Sequence, residues 1–391
     1  MDFVHGSTSA HIRPMKPRDV DEAHRAATPL ELLFDLVSVI AIAAAATGLH
    51  HSITEAHFVE GIIKFVMAFF AIWWAWMNYT WFASAYDNDD VPFRLLTMII
   101  MGGSLTMAAG INHVFISTDL TLIGIGYVVM RIAMVALWLR AAANDAGRRK
   151  TALWYAGGIA VVQFYWIVII FYQSFIKDSL YILFAVGVVF ELLVPLLAEK
   201  KATTPWHRHH IIERYGLLNI IVLGEVLLAG SMALGQASGG HVDGTLVHIA
   251  LTALVVVFSM WWLYFSRDGH LESKDLSSAF IWGYGHVVIY MAGAAVGAGF
   301  AVLVDVSTGH AEVGNIGGSY AVAIPVALYL LGLWFVRDQL VLVGTARWVL
   351  PVFAGLILIT PLLFTVRAVA ILTMLAVITR NYMVRRNDRY A

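Results

Sequence analysis

The sequence predicts an all-α polytopic membrane protein of about twelve transmembrane helices, built as two six-helix repeats of the same orientation with both termini cytoplasmic. Of its 391 residues, 60% are hydrophobic and 13% are charged, whereas a soluble domain carries about 25% charged residues. Apolar runs of about twenty residues, the length that crosses a bilayer, recur along the chain. Lys and Arg concentrate in alternate connecting segments, as they do in cytoplasmic loops.

The first element, residues 1–28, is polar and basic, and we interpret it as an uncleaved cytoplasmic arm. Twelve predicted spans follow: 29–49, 58–84, 94–113, 120–140, 151–173, 179–198, 211–235, 246–266, 278–304, 319–336, 346–363 and 365–382. Only a Phe364-Thr365 hinge after Pro361 separates the last two. An eleven-span arrangement that merges them therefore stays open.

An internal duplication predicts the domain organisation. Trp73-Trp74 corresponds to Trp261-Trp262, and Thr151-Ala152-Leu153-Trp154 to Thr345-Ala346-Arg347-Trp348. We therefore predict a first repeat over 29–198, a cytoplasmic linker over 199–210, a second repeat over 211–382 and a basic cytoplasmic tail over 383–391. Such repeats recur in transporters, with the site between the halves; duplication of a purely structural bundle is the alternative.

Two acids open the first span. Thr28-Pro29-Leu30-Glu31 has the pattern of a helix-capping box, so Glu31 is expected to act first as a cap. Asp35 lies one turn deeper on the same helix face, where no cap needs it. We expect it either to pair with an arginine or to open onto a water-filled cavity.

Deeper in the spans lie Arg131, Glu191, Glu225 and His286. Glu225 is twelve residues beyond Glu213, which is about 18 Å along a helix and so near mid-membrane. Arg131 is the expected counter-ion of Glu225, either as a structural bridge or as part of a transport site. His286, beside Tyr284, is expected to be a packed histidine before it is a proton relay.

The segment before the seventh span contains His207, His209 and His210. His209 or His210 with Glu213 has the helical spacing of two metal ligands, a weak indication because a third ligand must come from elsewhere, such as His270 or His24. An interfacial basic cluster is the favoured interpretation.

Several function classes are excluded or left open. The sequence has no phosphate-binding loop and no basic excess for nucleic acid, since its formal net charge is −1. The leading hypothesis is a secondary transporter of a small solute, with proton coupling through Asp35 and Glu225. A proton or ion channel and a membrane-embedded metal or cofactor enzyme are the alternatives. Lipids and an unidentified solute or ion are the expected partners, and oligomerisation stays open.

The opening stretch, residues 28–37, reads TPLELLFDLV and resembles the signature of the bacterial low temperature requirement protein A (LtrA) family. Residues 73–76, residues 85–87 and the run 213–225 are similar to later motifs of that family. Ser38 and Asn219 depart from its pattern. The resemblance implies a bacterial inner-membrane protein, and the family's hallmark acids correspond to Glu31, Asp35, Glu213 and Glu225.

Overall fold

The computed structural model describes residues 12–22, 25–238, 244–266 and 276–387, and the regular structure in this part of the chain is helical. The main helices are α1 Pro29–Thr54, α2 Phe58–Tyr86, α3 Val91–Ser117, α4 Thr121–Asn144, α5 Arg149–Tyr172, α6 Leu180–Glu199, α7 Arg208–Ser238, α8 Gly244–Phe265, α9 Leu276–Thr308 and α10 Asn315–Leu333. The short helix α11 Gln339–Val341, then α12 Val349–Leu363 and α13 Arg367–Asn387 complete the series.

Each predicted span coincides with a helix. Eleven of the described helical segments are long and apolar enough to cross a membrane, and α7, with 31 residues, is a further long helix. The chain is therefore a multi-pass membrane protein. The last two predicted spans are separate helices, because Phe364 adopts an extended backbone that ends α12.

The helical structure is interrupted after α10 and not at the prolines inside the helices. Pro325 and Pro361 are accommodated inside α10 and α12. The interruption comes after α10, where a π-helical turn, Trp334–Asp338, is followed by α11 and the 3₁₀ turn Gly344–Trp348. Single π turns inside helices often occur at functional sites.

The chain forms two compact units. The first comprises Met1–Ser38, Trp74–Gly110 and Asp119–Ile211, and the second Val39–Trp73, Ile111–Thr118 and Ile212–Ala391. The interior of the first unit includes the α4–α5 and α5–α6 contacts, and that of the second is dominated by α9 against α10.

Small residues allow the close helix packing in the second unit. A methyl group added at Gly299 of α9 would collide with the carbonyl oxygen of Ala321 in α10. Gly293 and Gly297, which have small-residue spacing in the sequence, lie against Val222 and Val226 of α7. Glycine is needed at these places because the neighbouring helix occupies the space of a side chain.

Candidate functional site

Glu31 forms the centre of a buried polar cluster at the start of α1. Its Oε2 accepts hydrogen bonds from the Thr28 backbone N–H at 2.8 Å and from the Thr28 hydroxyl at 3.0 Å, and Thr28 Oγ1 accepts the Glu31 N–H at 3.3 Å. This is the capping box that the sequence predicts. Glu31 is nevertheless 0% exposed, so it does more than satisfy a helix end at a surface.

Two basic side chains approach the same carboxylate. His210 Nε2 lies 3.1 Å from Glu31 Oε1, and Arg25 Nη2 lies 3.9 Å from that oxygen. Arg25 also donates to the carbonyl of Ala83 at 2.8 Å. His207 anchors the same region, because its Nε2 lies 2.8 Å from the carbonyl of Glu22. The structure thus joins the arm, the end of α2 and the start of α7 around Glu31.

Asp35 lies one turn further into α1 and is also fully buried. Its Oδ1 accepts a 2.7 Å hydrogen bond from the indole N–H of Trp76. A tryptophan of α2 is therefore a polar partner of an intramembrane acid. An indole N–H is only a donor, so it suits the acceptor oxygens of a carboxylate.

The loop between α2 and α3 contributes a titratable group outside the spanning helices. Burial raises the pKa of Asp87 to about 6, and the negative charge of Glu31 adds to that rise. The N–H of Asp89, which donates to Asp87 Oδ1 at 2.8 Å, and the charge of Arg25 oppose it. Asp90 acts differently, since its Oδ1 caps α3 by accepting the Phe93 N–H at 2.9 Å.

A second buried centre contains Arg131 and Glu191. Arg131 Nη2 lies 2.8 Å from Glu191 Oε2, and both side chains are almost inaccessible. Tyr127, Trp74 and Trp166 donate to the same carboxylate at 2.6, 2.8 and 3.1 Å. Four donors from three other helices thus hold one acid of α6.

The expectation that Arg131 pairs with Glu225 is therefore corrected. The carboxylate at salt-bridge distance from Arg131, among the described residues, is Glu191. The sequence contains both acids at span depth, but helix identity and facing direction decide which one meets the arginine. Glu225 itself is half-buried in α7, with no ion pair in the part of the chain that the structure describes.

The remaining predicted residues lie in the second unit. Glu213 is exposed near the start of α7. His286 is buried, its Nδ1 is 2.7 Å from the carbonyl of Trp282, and its ring packs against Tyr215 and Trp282 with centroid distances of 5.0 and 4.2 Å. This environment is that of the packed, hydrogen-bonded histidine expected from sequence.

The weak metal hypothesis gains no support from the described residues. They contain no group of three or more His, Asp or Glu side chains placed to hold a metal ion. His209 is exposed, and His210 lies against Glu31 instead. His24 and His270, considered as third ligands, fall outside the described residues.

Sequence reasoning missed a third ion cluster, at the π turn. Arg337 Nε donates to Asp338 Oδ1 at 2.8 Å, and Arg380 Nε and Nη2 bind the same carboxylate at 2.6 and 2.7 Å. Arg337 Nη1 also donates to the carbonyl of Tyr264 at 2.8 Å. The adjacent charged residues Arg337 and Asp338, directly after an apolar run, could have indicated this cluster from sequence. Nothing in the sequence indicated that Arg380 of α13 is their partner.

Comparison with known proteins gives a concordant result. The family model described as "Bacterial low temperature requirement A protein (LtrA)" matches residues 26–382. An uncharacterized protein, RA0937, of Rhizobium meliloti (strain 1021) is 26% identical over 294 residues, which cover 71% of this chain and 69% of that protein.

Proposed function

This chain belongs to the bacterial LtrA family, and from its buried chemistry we propose that it is a secondary transporter that couples movement of a small solute to protonation of intramembrane carboxylates. The expected location is the bacterial inner membrane. The observation that carries the proposal is the Glu31 cluster, formed by Glu31, His210 and Arg25, where a buried acid lies 3.1 Å from an imidazole and 3.9 Å from a guanidinium.

The Glu31 cluster has the features of a proton entry point. Asp87 has a pKa of about 6, raised by burial and then by the charge of Glu31. A group with such a pKa exchanges protons readily at physiological pH. The imidazole of His210 lies 3.1 Å from Glu31, and histidine is a side chain that proteins use in proton relays.

Asp35 is the next acidic side chain along α1, deeper in the membrane than Glu31. It lies four residues beyond Glu31, or about 6 Å along the helix axis, and its Oδ1 accepts a hydrogen bond from the indole N–H of Trp76. A charged carboxylate inside a bilayer is costly, whereas its protonated form is much less so. Protonation of Asp35 can therefore favour one conformation of the protein over another, which is the requirement for coupling.

Glu191 has a different role in this proposal. Its charge is matched by Arg131, and its oxygens accept three further hydrogen bonds. Buried acids held in this way fix the packing of helices. We assign Arg131 and Glu191 a structural role, and Asp35 with Glu225 the role of carboxylates that change protonation.

The two predicted repeats support alternation between conformations. Repeats related by an axis along the membrane normal occur in transporters whose halves rock around a central site. In this scheme Asp35 lies in the first predicted repeat and Glu225 in the second. Glu225 is suited to a change of protonation because it is half-buried and has no ion pair with the described residues.

The proposal is tested by proton flux into proteoliposomes that contain an internal pH dye, driven by a potassium diffusion potential and measured with and without a solute library. Asp35→Asn and Glu225→Gln should abolish solute-dependent flux while the protein still folds. Asp89→Asn, an isosteric change at an exposed loop acid, is the matched control and should retain it.

Full activity in both variants would refute the assignment. Flux that is independent of solute and does not saturate would instead favour a proton channel that uses the same acids. Infrared difference spectra between pH 5 and pH 8 provide a check that needs no substrate, since loss of Asp35 should remove a carboxylic-acid band.

A further inference from the structure

The second unit contains a small cavity lined by the first turns of α7, by the last residues of α8 and α10, and by α9. Its volume is about 250 Å³, slightly below the roughly 300–1,000 Å³ of typical small-molecule sites. We call it the Arg337 cavity and define it by six of its lining residues: Glu213, Gly216, Leu217, Trp282, His286 and Arg337.

Arg337 contributes a buried cation to the wall of this cavity. The residue is 4% exposed. Its Nε and Nη1 are occupied by Asp338 and by the carbonyl of Tyr264. Its Nη2 is buried and has no hydrogen-bond partner among the described residues. An unsatisfied N–H on a buried charged group is energetically costly, so a ligand that accepts from it would be stabilised.

Among the described residues, the buried charges beside the cavity leave a positive excess. Arg337 and Arg380 share the single carboxylate of Asp338, so this cluster carries two positive charges and one negative charge. His286 adds no negative charge, because an imidazole is either neutral or cationic; its Nδ1 contacts the carbonyl of Trp282. Glu213 also lines the cavity, but its side chain is exposed, and water screens an exposed charge far more than a buried one.

We propose that the Arg337 cavity binds an anionic oxygen group, a phosphate or a carboxylate, through the guanidinium of Arg337. Guanidinium is suited to this role because its planar donors match the geometry of such anions. The small volume restricts the bound part to the anionic group and a few adjoining atoms. Trp282 and Phe265 provide apolar walls for those atoms.

Two sources can supply this group: a free anion from solution or the headgroup of an anionic phospholipid. In both cases the guanidinium of Arg337 would bind the anionic oxygen atoms. The site is independent of the transport proposal, because binding is measured at equilibrium with no gradient. Failure of one proposal therefore leaves the other standing.

The test uses the purified full-length protein in a neutral detergent. Equilibrium dialysis with radiolabelled inorganic phosphate at constant ionic strength measures the free-anion arm. Native mass spectrometry after incubation with phosphatidylglycerol, compared with phosphatidylcholine, measures the lipid arm. We expect inorganic phosphate, phosphatidylglycerol or both to bind. The ligand that binds identifies the source of the anionic group.

Three variants tie binding to the cavity. Arg337→Gln should weaken binding at least tenfold. The protein should still fold, because Asp338 keeps its ion pair with Arg380. Leu217→Trp should block the cavity and weaken binding similarly without touching Arg337. Leu328→Trp, the same change at an exposed position of α10, should leave binding within twofold of wild type.

Absence of binding in both arms with folded wild-type protein would overturn the proposal. It would also be overturned if binding were unchanged by both Arg337→Gln and Leu217→Trp, because the anion would then occupy another place.

Discussion

The Arg131–Glu191 centre allows a quantitative prediction of stability. Replacing Glu191 by Ala removes the partner of a buried guanidinium and leaves the donors of Tyr127, Trp74 and Trp166 without their acceptor. Breaking a buried ion pair from one side costs about 3–5 kcal/mol. Each orphaned donor adds about 1–3 kcal/mol if it stays dry, although such costs do not add fully.

A loss of at least about 3 kcal/mol is large beside the roughly 5–15 kcal/mol stability of folded proteins. At about 2–4 °C per kcal/mol, the scale for domains of 150–250 residues, it corresponds to a drop of at least about 6 °C in the unfolding midpoint. The assay is thermal unfolding in detergent, followed by tryptophan fluorescence.

The matched control is Leu193→Ala, two residues away on α6 at a position that is 40% exposed. It should change the midpoint much less. Combining Glu191→Leu with Arg131→Met should recover part of the loss, because no uncompensated charge then remains buried. A midpoint for Glu191→Ala that equals the control would refute the reasoning that this centre holds the first unit together.

Two further predictions follow from the loop and the helix contacts. The pKa of Asp87 is raised from 3.8 to about 6 in the folded protein, so its contribution to stability is complete below about pH 4 and is lost as pH rises through about 6. Asp87→Asn should therefore flatten the fall in unfolding midpoint between pH 4 and pH 7. Asp89→Asn should change that slope much less, because the charge of Asp89 affects the pKa of Asp87 less than burial or the charges of Glu31 and Arg25 do, and the side chain of Asp87 remains; a wild-type slope in Asp87→Asn would contradict the assignment. At the α9–α10 contact, Gly299→Ala should destabilise by about 1–3 kcal/mol in chemical unfolding, because the added methyl meets the Ala321 carbonyl. Gly102→Ala is its control, since a methyl there has no neighbour within 4 Å; equal midpoints for the two variants would show that the contact is not tight.

The buried polar clusters show why sequence reasoning reached only part of the candidate site. Glu31 and Asp35 were identified from one helix, because a cap pattern and an i, i+4 spacing are local. Trp76, the donor to Asp35, and His210, the neighbour of Glu31, come from other helices. Their pairing depends on how those helices are rotated, which one sequence does not contain.

The sequence by itself determined the membrane class, the positions of the helices and the acids that stand out in them. These properties follow from apolar run length and from the cost of charge in a bilayer, both of which are local in the chain. The tertiary structure decided that Arg131 meets Glu191 and that Asp338 gathers Arg337 and Arg380. Partner choice is a property of three-dimensional packing: several acids lie at similar depths, and only the contacting faces of neighbouring helices select among them.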